Sequence, residues 1–183
     1  SRGSVLNLLK MPALWLIFPL TFVQYAPAAG LRGLWIGPYM ADVFAFDTTA
    51  IGTVSLIMGV AMILGTFAYG PLDRLLGTRK WVIFGGNAGA ALALAALWAM
   101  PAADPWLAVA FCAAVGFFGA SYPMIMAHGR SFIPEHLVGR GVTLMNLFAI
   151  GGVGIMQVVT GRLHAAVESG GGAVSDPYRA VFG

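Results

Sequence analysis

Five long runs of apolar residues divide the chain, and short segments rich in Pro, Gly and charge separate them. The runs cover about 13–40, 49–69, 81–100, 106–126 and 142–160. Because a helix needs about 20 apolar residues to cross a bilayer, this pattern predicts five transmembrane helices. The polar, Gly-rich stretch that follows is predicted to be an outer loop over 161–176. Residues 177–183 turn apolar again and are predicted to begin a sixth span.

The composition supports a membrane protein and argues against a soluble one. Hydrophobic residues make up 59% of the 183 positions, charged residues only 9%, and the mean hydropathy is +0.84. A soluble domain carries about 25% charged residues, which this chain lacks. The basic residues are scattered between apolar runs, so the pI near 9.4 does not indicate a nucleic-acid partner. We therefore predict an all-α integral membrane protein, a transmembrane helix bundle in contact with lipid. Since the first residue is Ser, we expect the chain to begin inside a longer protein.

The distribution of basic residues predicts an orientation, because Lys and Arg are retained on the cytoplasmic side. Along a five-span path, most of them fall on one side, namely Arg2, Lys10, Arg74, Arg79, Lys80, Arg130 and Arg140. Only Arg162 and Arg179 fall on the other side, and Arg32 lies within the first span. The amino end and the segment 71–80 are therefore predicted to be cytoplasmic.

The segment between the second and third runs carries a recognisable motif. Residues 70–80 read Gly-Pro-Leu-Asp-Arg-Leu-Leu-Gly-Thr-Arg-Lys. We expect Gly70 to end a helix, Gly77 to allow a left-handed or closely packed position, and Asp73 to accept hydrogen bonds from a helix amino terminus. The segment resembles the cytoplasmic loop motif of the major facilitator superfamily, Gly-x-Leu-x-Asp-Arg-x-Gly-Arg-Arg/Lys. The spacing differs, because Asp73 follows Leu72 directly and one extra residue precedes Gly77.

This resemblance implies a conformational latch between the two halves of a transporter. Its residues here would be Gly70, Asp73, Arg74, Gly77, Arg79 and Lys80. The alternative is a basic loop that only fixes the orientation of the helices.

Two further stretches are similar to the carboxyl-terminal half of such a transporter. Residues 30–39 (Gly-Leu-Arg-Gly-Leu-Trp-Ile-Gly-Pro-Tyr) resemble the seventh span of a bacterial branch of the family, and residues 139–161 resemble the eleventh. The resemblance implies spans seven to eleven and the start of span twelve, half of a fold built from inverted three-helix repeats. It also implies a bacterial cytoplasmic (inner) membrane and a secondary transporter, symporter or antiporter, working by alternating access. The partner would be the amino-terminal half of the same protein or a second copy.

Polar residues inside the predicted spans are candidates for solute binding. Arg32 is the foremost, since a charge inside a bilayer is costly unless it faces a cavity or a partner. With Trp35 and Tyr39 predicted on its face, it favours a small anionic or carboxylate-bearing solute. Arg32 snorkelling to the surface, and the aromatic pair forming an interfacial belt, are the alternatives. Three prolines, at positions 19, 27 and 38, predict a kinked or broken first helix. The remaining candidates are Gln24, Tyr25, Asn146 and Gln157.

The spans lack the residue patterns of other functions. They contain no paired carboxylates, Cys–His pair or Ser-centred motif, so we predict no enzyme, no cofactor and no metal site. Every Asp and Glu falls at a span end or in a loop, which leaves open whether a proton or another ion is coupled. The sequence also leaves open a second function, in which a transporter-like module does not transport and serves as an assembly, sensor or accessory domain.

Overall fold

The computed structural model describes residues 5–183, apart from the side chains of Val5, Leu6 and Asp73, and its regular structure there is entirely helical. Arg2 lies outside the described residues. Ten α-helices follow one another: α1 (Val5–Leu9), α2 (Pro12–Trp15), α3 (Ile17–Gly30), α4 (Ile36–Phe44), α5 (Thr48–Leu76), α6 (Arg79–Ala99), α7 (Pro105–Gly119), α8 (Tyr122–Arg130), α9 (Val138–Ser169) and α10 (Asp176–Phe182). A π-helical turn (Leu31–Trp35) joins α3 to α4, and a 3-10 turn (Glu135–Leu137) precedes α9.

Five helical stretches are long and apolar enough to cross a membrane, which confirms the all-α membrane bundle. They are Pro12–Phe44, Thr48–Leu76, Arg79–Ala99, Pro105–Arg130 and Glu135–Ser169. Each runs past one or both of the bounds predicted from the sequence. We call the end of the bundle that holds residues 45–47, 100–104 and 170–175 the upper end. The opposite end, which holds the turn at 77–78 and residues 131–134, is the lower end.

Local sequence explains where the helices begin and end at the upper end. The Asp47 carboxylate accepts a hydrogen bond from Ala50 N (2.8 Å) and caps α5, and Asp104 caps α7 through Leu107 N (3.0 Å). Ala45, in the left-handed conformation at φ 55°, ends α4. Sharp turns between long helices follow from these caps, so consecutive spans run in opposite directions.

The segment 71–80 differs from its prediction, because most of it is helical. We expected Gly70 to end a helix, but α5 continues through Gly70 and Pro71 to Leu76. Pro71 removes one N–H donor and crowds the carbonyl of the preceding turn, yet the helix runs on past it. Gly77, at φ 62°, then ends α5 in the left-handed conformation, as predicted. The connection is therefore a two-residue turn and not a ten-residue loop.

The first span is interrupted, as its prolines predict, and the interruption changes which way its side chains face. The π turn begins four residues after Pro27. A π turn holds more residues than an α turn, so side chains three or seven positions apart across it no longer align. This is why Arg32 is exposed whereas Trp35 and Tyr39 are buried, and the expectation that all three share one face was wrong.

The first span also packs closely along α9. Phe18 stacks on Phe148 with ring centroids 4.7 Å apart, near the lower end. One turn further up both helices, a Cβ at Gly152 would overlap the carbonyl oxygen of Phe22. Small residues permit this approach, which is how helices associate in lipid.

Candidate functional site

Arg32 lies in the π turn, far from both ends of the spanning stretch Pro12–Phe44. Arg32 lies twelve positions before Phe44 at the upper end, about 18 Å at 1.5 Å per residue. Its guanidinium faces Gly59 of α5, with Nη2 3.6 Å from where a Cβ would lie. It borders a recess of about 330 Å³ that is also lined by Tyr25, Ala29, Gly33, Ser55 and Met62. Within residues 5–183 no hydrogen bond or ion pair to Arg32 is present.

Tyr25, which lines the same recess, joins it to a second polar group. Its ring lies 4.8 Å from that of Tyr122 on α8, and the Tyr122 O–H donates to Asn146 Oδ1 on α9 (2.6 Å). The predicted residues Tyr25 and Asn146 are thus brought together, although Tyr122 stands between them. All three side chains are partly exposed.

Gln24 is a buried residue of α3 that lies outside the recess. It hydrogen-bonds to the fourth span at the point where that span is interrupted. Its Nε2 donates to the Gly119 carbonyl (3.0 Å) and to Ser121 Oγ (2.8 Å), where α7 gives way to α8. Its Oε1 is buried and has no protein partner in the part of the chain described. These contacts join two spans. Ser121 was not predicted from the sequence, where only its position before a Tyr-Pro pair distinguishes it.

Trp35 and Tyr39 lie away from the recess, in an aromatic cluster near the upper end. Trp35 Nε1 donates to Thr160 Oγ1 (2.9 Å) on α9, and its ring stacks on His164 with centroids 5.0 Å apart. The Tyr39 O–H donates to the Pro101 carbonyl (2.6 Å), and no part of the Tyr39 side chain is exposed. The structure does not bring these two aromatic residues next to Arg32.

Gln157 also lies outside the recess that Arg32 borders. It lines a separate, mainly apolar cavity of about 180 Å³ between α3, α9 and α10, together with Trp35 and Thr160. Its Nε2 approaches Gly33, at 3.9 Å from where a Cβ would lie. Of the seven predicted residues, only Arg32 and Tyr25 line the recess, and the other five lie outside it.

The residues of the predicted latch lie at the lower end. Arg74 and Gly77 are exposed at the end of α5, and Lys80 is exposed in the first turn of α6, where Arg79 is partly buried. Gly70 is exposed within α5. The side chain of Asp73 lies outside the described residues, so its predicted hydrogen bonding is untested.

A cluster at the upper end holds polar residues that sequence reasoning did not connect. The Tyr178 O–H of α10 donates to Asp42 Oδ2 of α4, and His164 Nδ1 lies 3.7 Å from Glu168 Oε2 on α9. Asp42 and Tyr178 are 136 positions apart, and no periodicity in the sequence pairs them. Among the described residues, no group of three or more His, Cys, Asp or Glu could hold a metal ion.

Comparison with known proteins gives one match. The family model of the Major Facilitator Superfamily matches residues 17–183, which is most of the chain. Comparisons with curated proteins and with solved structures found no match. The family model covers all five spanning stretches except the first five residues of Pro12–Phe44. With its helical bundle and spanning helices, the chain belongs to the major facilitator superfamily of membrane transporters.

Proposed function

We propose that this chain is the carboxyl-terminal half of a secondary transporter that moves a small anionic or carboxylate-bearing solute by alternating access. The observation that carries the proposal is Arg32, a cation near the middle of its span that borders a recess. A buried charge in a bilayer costs several kcal/mol unless it pairs or faces water. Since Arg32 has no partner within the described part, we assign it a partner from outside this bundle.

The surroundings of Arg32 suit a carboxylate. A guanidinium offers a planar fork of donors that matches the two oxygens of a carboxylate. The hydroxyls of Tyr25 and Ser55 line the same recess and would supply further donors. Tyr122 and Asn146 extend the polar surface toward α9. Trp35, Tyr39, Gln24 and Gln157 would instead hold the helices in place around the site.

The second wall of the site would come from the amino-terminal half. In transporters of this architecture, alternating access is largely rocking of two bundles about a site near the midplane. Basic residues concentrate at the lower end, which we propose to be the cytoplasmic end of an inner-membrane protein. The lower-end residues Gly70, Asp73, Arg74, Gly77, Arg79 and Lys80 would latch the two halves in one state.

The experiment is uptake into liposomes containing the purified full-length protein, with a panel of radiolabelled small carboxylates and matched neutral analogues. Replacing Arg32 with Ala should lower uptake of the accepted carboxylate roughly 10- to 100-fold, because hydrogen bonds to charged groups contribute about 1.5–3 kcal/mol. Arg32→Lys should recover only part of it, since a single ammonium lacks the fork. Insertion and thermal unfolding should not change. Wild-type kinetics in Arg32→Ala would remove Arg32 from the site.

Two glycines on α5 provide a matched pair that tests the recess itself. A valine at Gly59 would crowd the Arg32 guanidinium, whereas a Cβ at Gly52 has open space around it. Gly59→Val should therefore reduce uptake and Gly52→Val should not. A folded protein that neither takes up nor exchanges any solute of the panel would favour the non-transporting module.

A further inference from the structure

His164 occupies a half-buried position between two aromatic rings at the upper end. Its ring lies 5.0 Å from that of Trp35 in a stacked arrangement and 4.8 Å, edge to face, from that of Tyr178. It borders a cavity of about 370 Å³ whose walls include Asp42, Glu168 and residues 171–174. This cavity is distinct from the recess of Arg32, and the solute-binding proposal makes no use of it.

One ring nitrogen of His164 approaches a carboxylate and the other has no partner among the described residues. Its side chain is 17% exposed, its Nδ1 lies 3.7 Å from Glu168 Oε2, and its Nε2 is buried without a hydrogen-bond partner in the described residues. Nε2 is therefore unpaired in the neutral and in the protonated ring alike, and hydrogen bonding does not distinguish the two forms. The geometry does distinguish them, because a charge on the ring would be attracted by the Glu168 carboxylate and by the π face of Trp35.

The surroundings of His164 are acidic on balance. Glu168 lies on its own helix, Asp42 faces the same cavity from α4, and Tyr178 faces it from α10. Three neighbouring groups are engaged elsewhere: Asp176 accepts from Ala173 N, Arg179 donates to the Trp98 carbonyl, and Tyr39 donates to the Pro101 carbonyl. Arg162 is exposed and lies two positions away on α9, on the opposite side of the helix. No basic group therefore lines the cavity.

Trp35 connects this position to the turn that carries Arg32. It is the last residue of the π turn, and α9 holds it twice, by the hydrogen bond to Thr160 Oγ1 and by the stack on His164. We infer that His164 binds a proton from the upper side of the membrane, and that its charge controls how firmly Trp35 holds the π turn. Opening the upper end would expose His164 to water and favour the charged ring, whereas closing it would favour release. Proton binding by His164 does not depend on the proposed function, whereas its effect on transport rests on that function.

Tryptophan emission in the purified full-length protein tests proton binding without a solute. A charged imidazole stacked on an indole quenches its emission, so lowering the pH from about 8 to about 5 should dim Trp35. The difference between the wild type and Trp35→Phe isolates that signal from the other tryptophans. His164→Gln should lose the step in emission, and the control His128→Gln, at the lower end, should keep it. A flat difference signal, or a step that survives His164→Gln, overturns the inference.

If His164→Gln fails to fold, a second pair of variants tests whether His164 is the residue that binds the proton. Glu168 is an exposed carboxylate that the fold can spare, and its removal should move the midpoint of the emission step to lower pH by a few tenths of a unit. Glu135→Gln, which removes an exposed carboxylate at the lower end, is the matched control. An unmoved midpoint in Glu168→Gln, or an equal shift in both variants, counts against His164 as the proton site.

Uptake assays then separate the two proposals. If His164 governs the π turn, the pH dependence of uptake should flatten in His164→Gln and persist in His128→Gln. Uptake without any Trp35 emission step would overturn this inference and leave the transporter proposal intact. An emission step in a protein that moves no solute would support the proton site while the proposed function fails.

Discussion

The two sides of the first span differ in how their polar groups are satisfied. On the side that faces α9 and α10, Trp35 donates to Thr160 and Tyr39 donates to the Pro101 carbonyl, and both side chains are buried. On the other side, Arg32 is exposed beside a recess and has no partner in the described part of the chain. Groups paired inside the bundle hold the helices together, whereas an unpaired charge at this depth indicates a partner from elsewhere.

The contrast arises at a single five-residue turn. An uninterrupted α-helix would place Arg32, Trp35 and Tyr39 on one side. The π turn rotates the aromatic pair into the bundle and leaves Arg32 outside it. π turns are rare and are often found at functional sites. One local irregularity thus lets a single helix serve both as a packing element and as one wall of a recess.

The largest loss of stability is expected on the paired side, where the backbones of the first span and α9 are in contact. Gly152→Ala should lower the free energy of unfolding by about 3 kcal/mol or more, because its Cβ would overlap the Phe22 carbonyl oxygen and the helices must separate. Thermal unfolding of the detergent-solubilised protein measures the change. Gly154→Ala, on the same helix with open space around the new Cβ, should unfold like the wild type. Equal midpoints for both variants would refute the close contact.

A smaller loss is expected from a hydroxyl near the upper end. Tyr39→Phe removes the donor to the Pro101 carbonyl and leaves a buried acceptor unpaired, which costs about 1–3 kcal/mol. Because Tyr39 lies apart from the recess, the KM for solute should not change. Unfolding and uptake are measured on the same preparation, with Tyr25→Phe, which alters the recess, as the converse control. A raised KM with unchanged stability would mean that Tyr39 contributes to solute binding and not to packing.

The sequence predicts the class of fold well because one physical requirement dominates it. A helix must be about 20 apolar residues long to cross a bilayer, so the runs of apolar residues locate the spans. The ends are harder to predict, since continuation past Gly70 and Pro71 depends on what surrounds the helix and not on propensity alone. Gly77, by contrast, was predictable, because a left-handed position favours glycine.

The candidate site was predicted less completely, for a geometric reason. Polar residues are rare in spans, so their presence in an apolar run is enough to mark a candidate. This is how the sequence indicates Arg32, Tyr25 and Asn146. Predicting their mutual position assumes a regular period, and the π turn breaks that period between Arg32 and Trp35. The pairing of Asp42 with Tyr178 depends on the packing of α4 against α10, about which local sequence carries no information.

The smallest expected effect concerns the break in the fourth span, where a polar group is only partly satisfied. Ser121→Ala removes one of two acceptors of Gln24 Nε2, and the Gly119 carbonyl still accepts from it. Hydrogen bonds between membrane helices contribute about 0.6 kcal/mol on average, so the loss of stability should be of that order. Ser131→Ala, which removes an exposed hydroxyl that bonds only within its own turn, is the control. A loss as large as that in Tyr39→Phe would mean that Gln24 depends on Ser121, and that the α7–α8 break is held as tightly as the upper end.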